Sequence, residues 1–133
     1  MRATDKNKLI AAAITAREKA CAPYSKFKVG AALLTATGRI ISGANVESAS
    51  YGLTCCAERI ALFKALTEGE KNFIAIAVVT RMKGGGMPCG ACRQLLAEYA
   101  PAAVILICDC ARPEMIKEFS VEQLLPGAFR DFR

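Results

Sequence analysis

Two short stretches of this chain each place a cysteine where a helix is expected to start, and the fold has to be one that lets them meet. The first is Cys55-Cys56-Ala57-Glu58-Arg59, and the second is Pro88-Cys89-Gly90-Ala91-Cys92-Arg93-Gln94. At the first turn of a helix, Cys89 and Cys92 stand three residues apart and point to one side. Gly90 and Ala91 put no bulk between them, and Pro88 sets the approach. The free amides of a helix N-terminus favour thiolate over thiol.

No histidine occurs anywhere in the chain. That removes a Ser-His-Asp triad, a Cys-His pair and any histidine metal ligand. Proton transfer must rely on a carboxylate, lysine, tyrosine, thiol or metal-activated water. Seven cysteines are an odd number, and the first residues, 1–6, lead into a charged helical pattern with no apolar leader. Metal binding or free thiols fit this better than a disulfide framework. A soluble, intracellular, cytoplasmic protein is the expectation.

Three thiolates from Cys56, Cys89 and Cys92 would leave one position of a tetrahedral zinc open, which is the pattern of a catalytic site. Glu58 would sit beside the metal without binding it and could move protons. Thiolate ligands in that number leave the centre with a net negative charge, and Arg59, with Arg93 as a second candidate, can donate to the sulfurs. Blander readings exist: a redox dithiol, half of a closed structural zinc site, or Glu58 merely balancing the helix dipole. Cys55, one residue earlier, is a rival ligand. Cys21, Cys108 and Cys110 fit no ligand position and read as small hydrophobes or bystanders.

The rest of the chain reads as scaffold. A length of 133 residues with 53% hydrophobic content suits one packed domain over residues 1–133. The net charge of +6 comes from scattered lysines and arginines with no long run, so a solvated surface is expected, not a nucleic-acid face. The apolar runs are too short to cross a bilayer.

Residues 4–22 show helical periodicity through Leu9, Ala13, Ala16 and Ala20, with Thr4 as N-cap and Pro23 beyond the end. Residues 29–34 and 39–46 form a hairpin around residues 35–38. A helix over 56–67 stops at Gly69, a strand follows at Phe73–Thr80, and residues 83–86 make a flexible loop. Further elements are a helix at Gly90–Tyr99, a strand at 103–108, an edge strand at 115–119 and a short helix at 121–125. This alternation gives an α/β class with a mixed sheet between helical layers.

Cys56-Ala57-Glu58 with Pro88-Cys89-Gly90-Ala91-Cys92 resembles the zinc deaminases of nucleobases and nucleosides. Further stretches resemble the small homotetrameric cytidine deaminases: residues 22–34, starting Ala22-Pro23-Tyr24-Ser25-Lys26-Phe27, then Asn45-Val46-Glu47, and Leu124-Leu125-Pro126-Gly127-Ala128-Phe129. The resemblance runs from about residue 8 to 129.

It implies a three-layer α/β/α fold with a central five-stranded sheet. The implied activity is zinc-dependent hydrolytic deamination of cytidine and 2′-deoxycytidine, with one zinc per chain on Cys56, Cys89 and Cys92 and with Glu58 catalytic. Phe27 would pack on the pyrimidine, Asn45 and Glu47 would bind the ribose, and the backbone of Ala57 would read the base. Ala49, Tyr51 and Phe129 would reach the pocket of a neighbouring subunit in a homotetramer. Nucleic acid and membrane are not expected as partners. The rival readings are a deaminase of another aminopyrimidine nucleoside, of the blasticidin-S type, and a non-enzymatic structural zinc or redox module. Met87 departs from the small polar residue usual before the proline.

Overall fold

The computed structural model describes residues 1–130. In chain order the elements are α1 (Ala3–Arg17), β1 (Val29–Thr35), β2 (Ile40–Ala44), α2 (Ala57–Thr67), β3 (Phe73–Thr80), α3 (Gly90–Tyr99), β4 (Val104–Asp109), β5 (Ile116–Ser120) and α4 (Val121–Leu124). A single turn of 3₁₀ helix, Tyr51–Leu53, precedes α2.

The five strands form one mixed sheet in the order β2-β1-β3-β4-β5. Only β3 and β4 run parallel, and α3 makes the crossover between them; the other pairs are antiparallel. Strand alternation splits the core cleanly. Ala31, Leu33, Ile76, Val78, Ile105 and Ile107 face α2 and α3. Ala32, Ala75, Ala77, Val79, Leu106 and Cys108 face Leu9, Ile10 and Ala13 of α1. Burial on both faces explains the nearly unbroken apolar strands, and the result is the three-layer α/β/α arrangement.

Helix α1 sits close to the sheet. A Cβ on Gly30 would lie 2.0 Å from the Ala13 carbonyl oxygen. The helix starts after Arg2, whose carbonyl accepts from the N–H groups of Asp5 and Lys6. Thr4 therefore lies inside the first turn and is not the cap. The helix also ends earlier than its periodicity suggests. Beyond Arg17 the chain is diverted to the end of β2, where Cys21 N–H donates to Asn45 O and Glu47 N–H donates to Cys21 O. These partners outcompete another helical turn.

Helix α2 ends as its sequence implies. Gly69 has φ +91°; its N–H bonds Leu66 O while that of Glu70 bonds Ala65 O. This is the paired closure that glycine permits. At the other end of the chain, Ser120 and Gln123 form a reciprocal capping box on α4. Among the described residues, no helix is long and apolar enough to cross a membrane.

Candidate metal centre and pocket

Cys56 and Cys89 are both N-cap residues, of α2 and α3 respectively, in extended backbone conformation. Each carbonyl accepts the first helical bond, from Ile60 N–H and Arg93 N–H. An N-cap side chain is free to turn away from the helical spiral, so Cys56 and Glu58 can converge although they are two residues apart. Cys92, in the first turn of α3, is buried.

The sulfurs of Cys56, Cys89 and Cys92 all lie within 4.8 Å of one another. Cys56 Sγ is 3.8 Å from Cys89 Sγ, and Cys89 Sγ is 3.6 Å from Cys92 Sγ. Tetrahedral zinc with Zn–S bonds of about 2.3 Å needs sulfurs about 3.8 Å apart. The donor set fits zinc in chemistry and in spacing. Cys55 stands outside it, because its backbone pairs with Val46 in both directions.

Cys56 and Cys92 are electrostatically distinct. Hydrogen bonding from Cys92 pulls Cys56 down to about 5, and Arg59 and Cys89 assist against the opposing effect of burial. Cys92 is pushed up because it holds its proton toward Cys56 and is buried. Arg59 Nη2 donates to Cys56 Sγ at 3.4 Å and to Thr54 O at 3.1 Å. Arg93 does not serve the sulfurs: it donates to Pro88 O at 2.7 Å and Leu124 O at 2.9 Å. It ties the Cys89 turn to the C-terminal segment instead.

Glu58 is 5% exposed. Burial is the main cause that raises it to about 7, and the Cys56 charge adds to this. A carboxyl that titrates there is suited to accept and return a proton near neutrality.

Beside the thiols lies a cavity of about 320 Å³, whose walls include Phe27, Asn45, Cys56, Ala57, Glu58 and Cys89. It opens at the carboxyl end of β3, where ligands of open α/β sheets commonly bind. Val29, Thr54, Val78, Thr80, Met82, Gly86 and Met87 complete the lining. Sequence reasoning missed most of these, because only the strand ends and loop packing bring them here. The expected flexible loop is a turn closed by Gly85 N–H to Met82 O. Thr80 Oγ1 is buried without a hydrogen-bond partner among the described residues.

Asn45 is buried, and its amide accepts from Val29 N–H at 2.8 Å and donates to Phe27 O at 2.9 Å. Glu47 lines an adjoining cleft of about 360 Å³, together with Tyr24, Ser25, Ser48, Tyr51 and Thr54. Thr54 belongs to both spaces. Ala49 is exposed. Tyr51 is 79% exposed and Phe129 is 61% exposed, and neither lines the cavity of its own chain. The Phe129 carbonyl accepts from Gln94 Nε2.

Residues 3–108 match the family model described as cytidine and deoxycytidylate deaminase zinc-binding region. The chain is 54% identical over 125 residues to the cytidine deaminase of Halalkalibacterium halodurans, covering 94% of each. It is similar to the 1.6 Å crystal structure of cytidine deaminase from Burkholderia pseudomallei, with a TM-score of 0.89 and 48% identity over 97% of this chain and 100% of that one. Blasticidin-S deaminase of Bacillus cereus is more distant, at 36% identity over 110 residues, covering 77% of this chain and 76% of that protein.

Proposed function

Because this chain belongs to the cytidine and deoxycytidylate deaminase family, we propose that it hydrolyses cytidine and 2′-deoxycytidine to uridine and 2′-deoxyuridine with release of ammonia. The observation that carries this reading is that the buried carboxyl of Glu58 lines one cavity with Cys56 and Cys89 of the three-thiol cluster and with the Phe27 ring and the Asn45 amide.

Cys56, Cys89 and Cys92 would hold one zinc per chain. Zinc supplies Lewis acidity that makes water nucleophilic near neutral pH. Glu58 takes a proton from the attacking water, passes it to N3 of the base, and then serves the departing amine. In balance, a C4–O bond forms, the C4–N bond breaks, and nitrogen leaves as ammonia. Arg59 offsets thiolate charge. Phe27 packs on the pyrimidine face. Ala57, at the first position of α2, brings its backbone to the base without a bulky side chain. Asn45 and Glu47, at the end of β2, hold the sugar, so part of the rate comes from positioning.

We further propose a homotetramer in which Ala49, Tyr51 and Phe129 reach into neighbouring pockets. The strong exposure of the two aromatic residues in a single chain supports this. A cytoplasmic setting accords with seven free cysteines. The identity to cytidine deaminases favours cytidine over blasticidin-type substrates.

Absorbance-monitored turnover of cytidine, 2′-deoxycytidine, cytosine, cytidine monophosphate and blasticidin S, side by side, tests the reading. Activity on the two nucleosides is expected, and a protein that ignores both overturns it. Sedimentation is expected to give about four chains per particle; a monomer with full activity would remove the shared-pocket roles.

A further inference from the structure

The loop that carries Phe27 is held by a single carboxylate. Tyr24 N–H and Ser25 N–H both donate to Glu47 Oε1 at 3.0 Å. The Ser25 hydroxyl donates to Glu47 Oε2. That same hydroxyl accepts from Phe27 N–H at 2.9 Å. Between the two sits Lys26 with φ +62°, the one non-glycine residue at positive φ among the described residues. A side-chain-bearing residue keeps that backbone only where its surroundings over-determine it. On the far side, Asn45 Nδ2 donates to Phe27 O. Phe27 is therefore fixed at both its N–H and its carbonyl.

The donors and acceptors of this clamp are unevenly used. A serine hydroxyl has one donor and two acceptor sites, and a carboxylate has about four acceptor sites. The Ser25 donor is committed to Glu47, and one acceptor site is taken by Phe27 N–H. Three sites on Glu47 are taken by the loop. What the pair still offers the adjoining cleft is acceptors only, which suits hydroxyl groups that donate.

We propose that Ser25 is a positioning residue of the nucleoside site: its hydroxyl locks the last open acceptor of Glu47 and the backbone of Phe27 into one fixed relation, so that sugar and base are held in register. This rests on the nucleoside reading of the site. The same hydroxyl is the largest cause that holds Glu47 below the usual carboxylate range, so the acceptor stays ionised. Ser25 reaches the substrate through its neighbours and takes no part in the chemistry at C4.

Steady-state kinetics of wild type, Ser25→Ala and Ser25→Thr on cytidine and on 2′,3′-dideoxycytidine test this. Ser25→Ala is expected to raise KM for cytidine about tenfold with kcat within about twofold, as for the loss of a charge-assisted hydrogen bond that acts on binding. Ser25→Thr keeps the hydroxyl and restores KM. On 2′,3′-dideoxycytidine, which lacks the hydroxyls that Glu47 would accept, the Ser25→Ala penalty shrinks to less than about threefold. An unchanged KM in a folded Ser25→Ala overturns the proposal, and so does an equal penalty on both substrates, which marks a merely structural residue. Should Ser25→Ala not fold, Ser25→Cys, a weak donor of similar size, carries the same comparison with the same expected direction. A wild type inactive on cytidine overturns the nucleoside reading itself; an active wild type with an unaffected variant overturns the role of Ser25 alone.

Discussion

Arg59 reaches back across the first turn of α2 and places Nη2 3.4 Å from Cys56 Sγ while also holding the Thr54 carbonyl. The guanidinium is thus both a charge partner of the Cys56 thiol and a strut for the chain entering the helix. Arg59→Gln keeps a donor for Thr54 but loses the charge. Loss of such an outer contact typically costs about 10–100-fold in metal affinity or activity. We expect a fall of that size in zinc retention against a chelator, in turnover, or in both. If both are unchanged, Arg59 acts only on Thr54.

Glu58→Gln separates proton transfer from metal binding. The two side chains have nearly the same volume, and Glu58 is outside the cluster of three sulfurs. Zinc content of about one per chain should survive. Turnover should fall by about 10²–10⁴-fold, the usual contribution of a positioned acid-base group. Zinc assay and cytidine turnover on the same preparation check this. Zinc lost with the carboxylate, or activity retained, refutes the role.

Cys55 and Cys56 are neighbours with opposite characters. Cys56 is an N-cap thiolate beside Arg59, whereas burial pushes the Cys55 thiol up and its backbone is tied to Val46. Cys56→Ala should release the metal and abolish activity. Cys55→Ala should keep both within about twofold, since Cys55 is only half-buried and lies outside the sulfur cluster. Metal analysis of the two variants decides, and the opposite pattern would move the ligand by one position.

Legibility in the sequence followed how local each feature is. Phe73–Thr80 and Gly90–Tyr99 have the bounds their patterns predict, because an apolar run and flanking prolines act within the segment. The end of α1 was not legible: the competing partners of Cys21 are Asn45 and Glu47, just past β2 and far along the chain. The sulfur cluster was readable from two motifs with a known chemistry. Thr80, Met82 and Gly86 in the cavity wall were not, since they arrive there only through the sheet and the turn behind it. The Ser25 bridge was equally hidden. A serine in a loop says nothing about a carboxylate 22 residues on until the fold brings them together.

Close approach of α1 to the sheet makes Gly30 a sharp test of the packing. A methyl group there would meet the Ala13 carbonyl at 2.0 Å and Arg17 N at 2.7 Å. Backbone cannot yield as a side chain can, so Gly30→Ala should cost about 3 kcal/mol. For a chain of this size that is a drop of about 10 °C in Tm. Gly52, where a Cβ would have nothing within 4 Å, is the control: Gly52→Ala should shift Tm by less than about 2 °C. Thermal denaturation of the pair checks the claim, and equal shifts would contradict it.

Glu47 gives the acid side of the stability curve a definite sign. Its ordinary value is 4.5, and in the fold the Ser25 hydroxyl, then the N–H groups of Ser25 and Tyr24, hold it lower. Around and below that value the unfolded chain binds more protons at this site than the native chain does. Stability from Glu47 is therefore fully present above 4.5 and lost as pH falls through the lowered value. Glu47→Gln cannot titrate, so the Tm advantage of wild type over the variant should be constant above about pH 5 and shrink steadily toward about pH 3. Thermal melts of both proteins across that range measure it. An advantage that stays flat or grows on acidification would mean that the carboxylate is not held ionised by the 24–25 loop, and the clamp on Phe27 would lose its anchor.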